Sequence, residues 1–340
     1  YGASLKQDAR RYYGSFISLT VRGEMIPNAD SWCELDPEVK DRFGLPVWQC
    51  ATTASDANRA VIRWCRGISG RPKILTFNGA YHGAVDETYV TCDGGLPHAD
   101  PALIGEVRDL TEFTKVVEFN DIPALEAALA PGDVACVLAE PVMTNVGMVL
   151  PDPDFHRALR EATRRTGTLL VLDETHCMSS GPGGYTREGQ LEPDSIVLGK
   201  PIAGGIPAAV YGFTSEVAAR IRTYLETRTP GHSGIGTTLS GSRIQLALMR
   251  AMLESYFTRE NFKGLTALAE RLERGITGVI ARHGAPWHVV RVGARVEFMC
   301  VPNRPRNGGE AAAAIHHPID VAVQKENASL QVQKKLFFRF

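Results

Sequence analysis

Between residues 46 and 215 short, unbroken apolar runs alternate with amphipathic ones. This pattern constrains the fold more than anything else in the chain. Lys73–Phe77 (KILTF), VACVLAEPV (134–142), GTLLVLDE (167–174), Ser195–Leu198 (SIVL) and AAVYGFT (208–214) are too short for helices and lack the alternation of a half-exposed strand. They predict strands buried on both faces, the pattern of a parallel sheet covered by helices. Between them, the run that follows Ser55 and the stretches Ile122–Ala130 and Phe155–Arg165 have helical periodicity, and VVEFN (116–120) predicts one further strand. At least four βα repeats result, so an α/β fold is expected, with a mostly parallel central sheet and helices on both faces. No GxGxxG follows the first strand, which disfavours a dinucleotide fold and a nicotinamide-dependent dehydrogenase. Residues 91–114, rich in Gly, Pro and Asp, are expected to form a long surface excursion. Further helices are predicted over Glu216–Thr227, Ser242–Tyr256 and Asn261–His283, before two strands, WHVVRV and RVEFMCV.

Composition removes several function classes. A net charge of -1 over 340 residues offers no basic excess for nucleic acid or an anionic membrane surface. No apolar run approaches a membrane span, and the N-terminal residues lack the apolar core of a secretory signal. The seven cysteines are scattered without CxxC, and the histidines give no HExxH. Reduced thiols in a cytoplasmic protein are expected, with no metal site.

The chemistry is carried by two strand ends. Lys200 follows the apolar run Ser195–Leu198 and opens the small-residue loop that closes on Gly204-Gly205. Desolvation at such a strand end lowers a lysine's pKa towards the nucleophilic range, and such a lysine forms Schiff bases with carbonyls. Asp173 closes the run GTLLVLDE, 27 residues earlier, which leaves room for one excursion between neighbouring strand ends. One cofactor uses both a Schiff-base lysine and an acid that keeps a ring nitrogen protonated: pyridoxal 5'-phosphate. Upstream, the small and hydroxyl residues Ala51–Asp56 enter a helix, with Ser55 as the expected N-cap. A helix N-terminus of this kind can hold a phosphate. Tyr81, in the loop FNGAYHG, could stack on a flat ring, and Asn145 follows the strand that ends at Glu140-Pro141.

The motifs TTASDANRAVIR, FNGAYHG, AEPVMTNVG, LVLDETH, SIVLGKPIAGG and GIGTTLSG, in this order, resemble the class III aminotransferases. These are pyridoxal phosphate enzymes of fold type I, and the resemblance is nearest to the branch with glutamate-1-semialdehyde aminomutase and β-amino-acid transaminases. It covers roughly residues 45–315. It implies a remnant N-terminal segment (1–45), a large cofactor-binding domain (46–258) and a smaller C-terminal α+β domain (259–340), altered after about 318. It makes Lys200 the Schiff-base lysine and Asp173 the partner of the pyridine nitrogen. Ala54 and Ser55 fall at the phosphate, Tyr81 over the ring and Asn145 near the ring hydroxyl. Thr175 falls beneath the ring, where a β-branched aliphatic is common. Thr238 matches a threonine given to the phosphate of the neighbouring subunit, which implies a homodimer with shared active sites.

Four positions depart from the family pattern: Ala54 for Gly, Thr175 for the aliphatic, and Ser242-Arg243 for Asn-Pro. The expected activity is a ping-pong transamination between a small-molecule amino donor and a keto acceptor. The alternatives are an aminomutase that shifts the amino group within one molecule, and a non-catalytic truncated paralogue that keeps the fold.

Overall fold

The computed structural model describes residues 47–228 and 233–315. The expectations for residues 1–45 and for the tail after about 318 lie outside the described residues.

The apolar runs form a seven-stranded sheet. Its strands are β1 (Val47–Ala51), β2 (Lys73–Phe77), β5 (Thr114–Val117), β6 (Val134–Ala139), β7 (Leu169–Asp173), β8 (Ser195–Leu198) and β9 (Ala209–Phe213), in the spatial order β1-β9-β8-β7-β6-β2-β5. The pairs β5-β2-β6-β7-β8 are parallel, whereas β9 runs antiparallel to both β8 and β1. Every residue of β6, β7 and β8 is buried, as unbroken apolar runs require. Strand β5 starts two residues earlier than VVEFN predicts. The excursion expected over 91–114 contains a hairpin, β3 (Val90–Asp93) with β4 (Leu96–Ala99), whose largely uncovered second strand had hidden it from an apolar-run reading.

Helices cover both faces. On one, α1 (Ala54–Ser69) packs Ala57, Val61, Trp64 and Cys65 against Ile74, Leu138, Val171 and Tyr211. On the other, α2 (Ile122–Leu129) and α3 (Phe155–Thr166) pack against Leu75, Phe77, Val137 and Leu172. Phe155 is fully buried there, with ring centroids 4.4 Å from Phe119 and 5.5 Å from Phe77. Truncating it removes a whole ring from a close-packed layer. Phe155→Ala is expected to cost about 3–5 kcal/mol, read as a lower urea midpoint with an unchanged slope.

Helix α1 is capped by Thr53 rather than Ser55. The Thr53 hydroxyl accepts from the backbone N–H of Asp56, and the Asp56 carboxylate accepts from the Thr53 N–H in return. Thr53, three residues before an acid, satisfies the capping box; Ser55 does not.

After β9 come α5 (Ser215–Glu226), α6 (Arg243–Ala251) with a π-helical turn over Met252–Tyr256, and α7 (Arg259–His283). The short helix α4 (Gly184–Glu188) lies between β7 and β8. The hairpin β10 (His288–Val292)–β11 (Arg295–Met299) follows α7, and α8 (Gly308–Ile315) closes the described chain. The β10–β11 turn rests on the chain just after β7: the N–H of Ala294 donates to Ser179 O at 3.1 Å. A Cβ on Gly293, where φ is +55, would lie 2.3 Å from Ser180 Cα. This contact brings β11 up to the carboxyl edge of the main sheet. Among the described residues, no helix is long and apolar enough to cross a membrane.

Candidate active site

Parallel pairing places the ends of β2, β6, β7 and β8 side by side, and the chemistry-bearing residues all leave from that edge. Asp173 is the last residue of β7 and aligns with Val197 of β8; Lys200 lies three residues further on. The 27-residue excursion therefore returns to the neighbouring strand end. Tyr81 and His82 follow β2, and Glu140 follows β6. Together with the start of α1 they line a cleft of about 340 Å³, whose wall includes Thr53, Ala54, Ser55, Thr175 and His176.

Lys200 holds a left-handed backbone, φ +48, that a side-chain-bearing residue adopts at a cost. Its ammonium opens into the cleft, and among the described residues no hydrogen bond or ion pair engages it. Partial burial pulls its pKa below the ordinary lysine value and Arg295 adds to this, against the pull of Asp173 and Glu140. The side chain is nonetheless solvent-accessible, so water screens the shift.

Asp173 is buried and fully engaged on its inner side. Asn58 Nδ2 donates to its Oδ2 at 2.8 Å, His82 Nδ1 lies 3.0 Å from the same oxygen, and the Thr175 N–H donates to Oδ1 at 3.1 Å. Burial alone would raise this carboxyl, but His82, Thr175 and Asn58 overcompensate and hold it below the usual carboxylate range. It stays anionic beneath the cleft.

The neighbouring carboxyl behaves oppositely. Glu174 is also fully buried, and burial pushes it up to about 7 despite the N–H groups of Tyr185 and Thr186 that it accepts. A carboxyl raised in the folded state favours folding most when protonated. Its contribution is complete below the unfolded value near 4.3 and is lost as pH rises towards 7. Wild-type unfolding free energy is expected to fall by up to about 3 kcal/mol from this group between pH 4.5 and 7. Urea titrations at pH 5 and pH 8 should show that difference shrink in Glu174→Gln.

On the cleft wall beside α1, the capping box uses the N–H of Asp56 and leaves the first-turn amides of Ala54 and Ser55 without partners inside the helix. The Ser55 hydroxyl accepts from the N–H of Ala84 at 3.0 Å, so its proton is available to an anion. That contact depends on Gly83, whose φ is +83 and whose Cβ would fall 2.2 Å from Ser55 Oγ. Gly83→Ala is expected to displace Ser55 and weaken anion binding at this helix end about tenfold or more, measured by fluorescence titration with pyridoxal phosphate as the probe.

The sequence-derived residues do not all meet. Lys200, Asp173, Tyr81, Ala54, Ser55 and Thr175 line the one cleft. Asn145 is exposed and lies beside it, its amide donating to both oxygens of Glu140 at 3.1 and 3.3 Å. Thr238 is exposed and outside the cleft wall. Its neighbour Thr237 makes the contact within this chain, 2.5 Å between its Oγ1 and that of Thr52. Four residues escaped the sequence reading: Asn58, His82, Glu140 and His176. Asn58 lies one helical turn beyond Ala54, and His82 follows Tyr81, so both fell inside motifs already singled out. Their role needed the third dimension, where they close on Asp173.

The donor set fits pyridoxal phosphate. A lysine amine, an anionic carboxylate on the adjacent strand end, an aromatic ring at the mouth and a helix N-terminus surround one space. Among the described residues the Thr175 hydroxyl, buried in its wall, has no hydrogen-bond partner. A family model described as aminotransferase class-III matches residues 38–317. The chain belongs to the class III aminotransferases. The cofactor of this family is pyridoxal 5'-phosphate.

Glutamate-1-semialdehyde 2,1-aminomutase of Neisseria gonorrhoeae is 33% identical over 303 residues, 88% of this chain and 68% of that protein. The Akkermansia muciniphila aminomutase is also 33% identical, over 71% of this chain and 56% of its own length. Among solved structures, a glutamate-1-semialdehyde aminomutase from Pseudomonas aeruginosa PAO1 superposes with a TM-score of 0.78 at 49% identity, over 80% of this chain and 61% of that one. An omega-transaminase from Sphaerobacter thermophilus superposes with 0.70 at 26% identity, over 81% of this chain and 64% of that one. This chain thus spans just over half to about two thirds of the relatives it matches. The mostly parallel sheet is that of the fold type I transaminases.

Proposed function

We propose that this class III chain is a pyridoxal-phosphate-dependent aminotransferase that carries an amino group from an amino-acid or amine donor to a keto acceptor in a ping-pong cycle. The observation that carries this reading is Lys200: an amine at a strand end that no hydrogen bond or ion pair engages among the described residues, its pKa held below the ordinary lysine value by partial burial, with the anionic Asp173 on the next strand. When bound, the cofactor supplies an electrophilic carbonyl and a protonated ring that draws electrons from the substrate's α-carbon. Lys200 Nζ would be the nucleophile that holds it and, once released, the base and acid that moves the α-proton. Asp173 would keep the ring nitrogen protonated, with His82 and Asn58 keeping Asp173 ionised. Tyr81, Thr175 and Asn145 would hold the ring and its hydroxyl. The N–H groups of Ala54 and Ser55 would bind the phosphate, and Thr238 would serve the phosphate of a neighbouring subunit in a cytoplasmic homodimer. The large domain is residues 46–258 and the smaller one 259–340.

A second reading, an aminomutase, is favoured by the names of the relatives that match over most of this chain. The two share the cleft and differ in whether the amino group leaves with the product. The test has two stages. The protein is loaded with pyridoxal phosphate, reduced with borohydride and mapped; label on Lys200 supports the site, and label spread over surface lysines overturns it. Amine donors are then supplied with and without a separate keto acceptor. Product that requires the acceptor supports transamination, and isomerisation without it establishes the mutase.

A further inference from the structure

His176 lies on the cleft wall three residues beyond Asp173, and no step above uses it. Its Nδ1 is 2.6 Å from Thr144 Oγ1, and the Thr144 hydroxyl donates to Glu140 Oε2 at 2.6 Å. Glu140 is buried and also receives the N–H of Thr144 at 3.1 Å, the N–H of Tyr81 at 3.2 Å and the Asn145 amide at 3.1 Å. With donors converging on both oxygens, the carboxylate is an acceptor throughout.

Proton counting then fixes the imidazole. Thr144 has one hydroxyl proton, and Glu140 takes it. The Thr144 oxygen must therefore accept from His176, so the proton of the imidazole is on Nδ1. A neutral imidazole has only one N–H, which leaves Nε2 as a bare acceptor. The surroundings keep the ring neutral. Burial first, then the positive charges of Lys200 and Arg295, push its pKa down to about 4, against the pull of Asp173. Arg295 is itself anchored, donating to Thr144 O at 3.1 Å and to Glu297 at 2.7 Å. The ring lines the cleft and its Nδ1 is taken by Thr144, which leaves Nε2 as the nitrogen for the cleft.

We propose that His176 is a specificity-determining residue whose Nε2 accepts a hydrogen bond from a hydroxyl or second amino group of the substrate, so that the site favours amines carrying a further donor over plain alkylamines. The inference rests on the reading of the cleft as an amine-processing site and adds the class of amine. An apolar chain laid over Nε2 strips its water without replacement, whereas a donor-bearing chain restores the bond. The substrate's own amine would take the carbonyl carbon that Lys200 gives up, so the donor that meets His176 is a second group on the same molecule.

Two measurements test it. On cofactor-free protein, long-range ¹H–¹⁵N spectra at pH 7 are expected to show His176 as the Nδ1–H tautomer with Nε2 unprotonated. In Thr144→Val the Nε2–H form should appear. On loaded protein, absorbance titrations compare matched pairs: 2-aminoethanol with n-propylamine, 3-aminopropan-1-ol with n-butylamine, and 4-aminobutan-1-ol with n-pentylamine. The amino alcohol of at least one pair should bind about tenfold tighter. That preference should collapse to within about twofold in His176→Phe and persist in part in His176→Gln, whose amide oxygen still accepts. A wild-type Nε2–H tautomer, no preference in any pair, no binding of any probe, or a preference undiminished in His176→Phe would each overturn the proposal. Loading on Lys200 without the preference sinks this inference alone; failure to load sinks the reading beneath it as well.

Discussion

Replacing Lys200 with alanine is expected to lower turnover by about four orders of magnitude or more and to abolish the borohydride-stable label, with the fold intact. The loss is large because the proposed reaction uses one amine twice, as nucleophile and as the carrier of the α-proton, and among the described residues no other lysine lines the cleft. Exogenous methylamine is expected to restore a small part of the activity. Stability should move the other way. Lys200 stands at φ +48, where a Cβ is disfavoured by about 1–2 kcal/mol relative to glycine. Part of that gain returns as unfolded-state entropy, so Lys200→Gly should be more stable than Lys200→Ala by about 1 kcal/mol while being equally inactive. Urea unfolding of the two variants checks this. A glycine variant less stable than the alanine variant would mean that the backbone there is not strained.

The sheet was legible because β6, β7 and β8 are buried on both faces, and burial of this kind writes itself as unbroken Val, Leu and Ile. The β3–β4 hairpin was not, because half of it faces water and its residues resemble a loop. At the site, residues whose chemistry is explicit on their own strand end, Lys200 and Asp173, could be paired from spacing and strand order. Asn58 and His82 act through Asp173, across 115 and 91 residues of sequence, and only packing brings them there. His176 is a different case. Its identity was visible in LVLDETH, but its meaning depends on which nitrogen Thr144 engages, a contact that spans 32 residues and two strand ends.

The second large effect is expected at Asp173, and its argument runs through the three donors that hold it. Asn58 Nδ2 and His82 Nδ1 both point at Oδ2, and the Thr175 N–H points at Oδ1. Asparagine has nearly the same shape but only one accepting atom. Whichever way its amide turns, an NH₂ group meets at least one N–H. Asp173→Asn should therefore cost about 1–3 kcal/mol of stability as well as the negative charge. Under the proposed function, loss of that charge is expected to reduce turnover about 10³-fold. The stability cost has a pH signature of its own. The Asp173 carboxyl is depressed in the folded state, so its contribution is fully present above the unfolded value near 3.9 and is lost only as pH falls through the lower folded value. The wild-type advantage over Asp173→Asn should thus be constant from neutral pH down to about 5 and narrow only below about 4. Unfolding titrations of the pair at pH 7, 5 and 3 decide the matter. An advantage already gone at pH 5 would mean that His82 and Asn58 do not hold Asp173 ionised, and the anionic floor of the cleft would have to be abandoned.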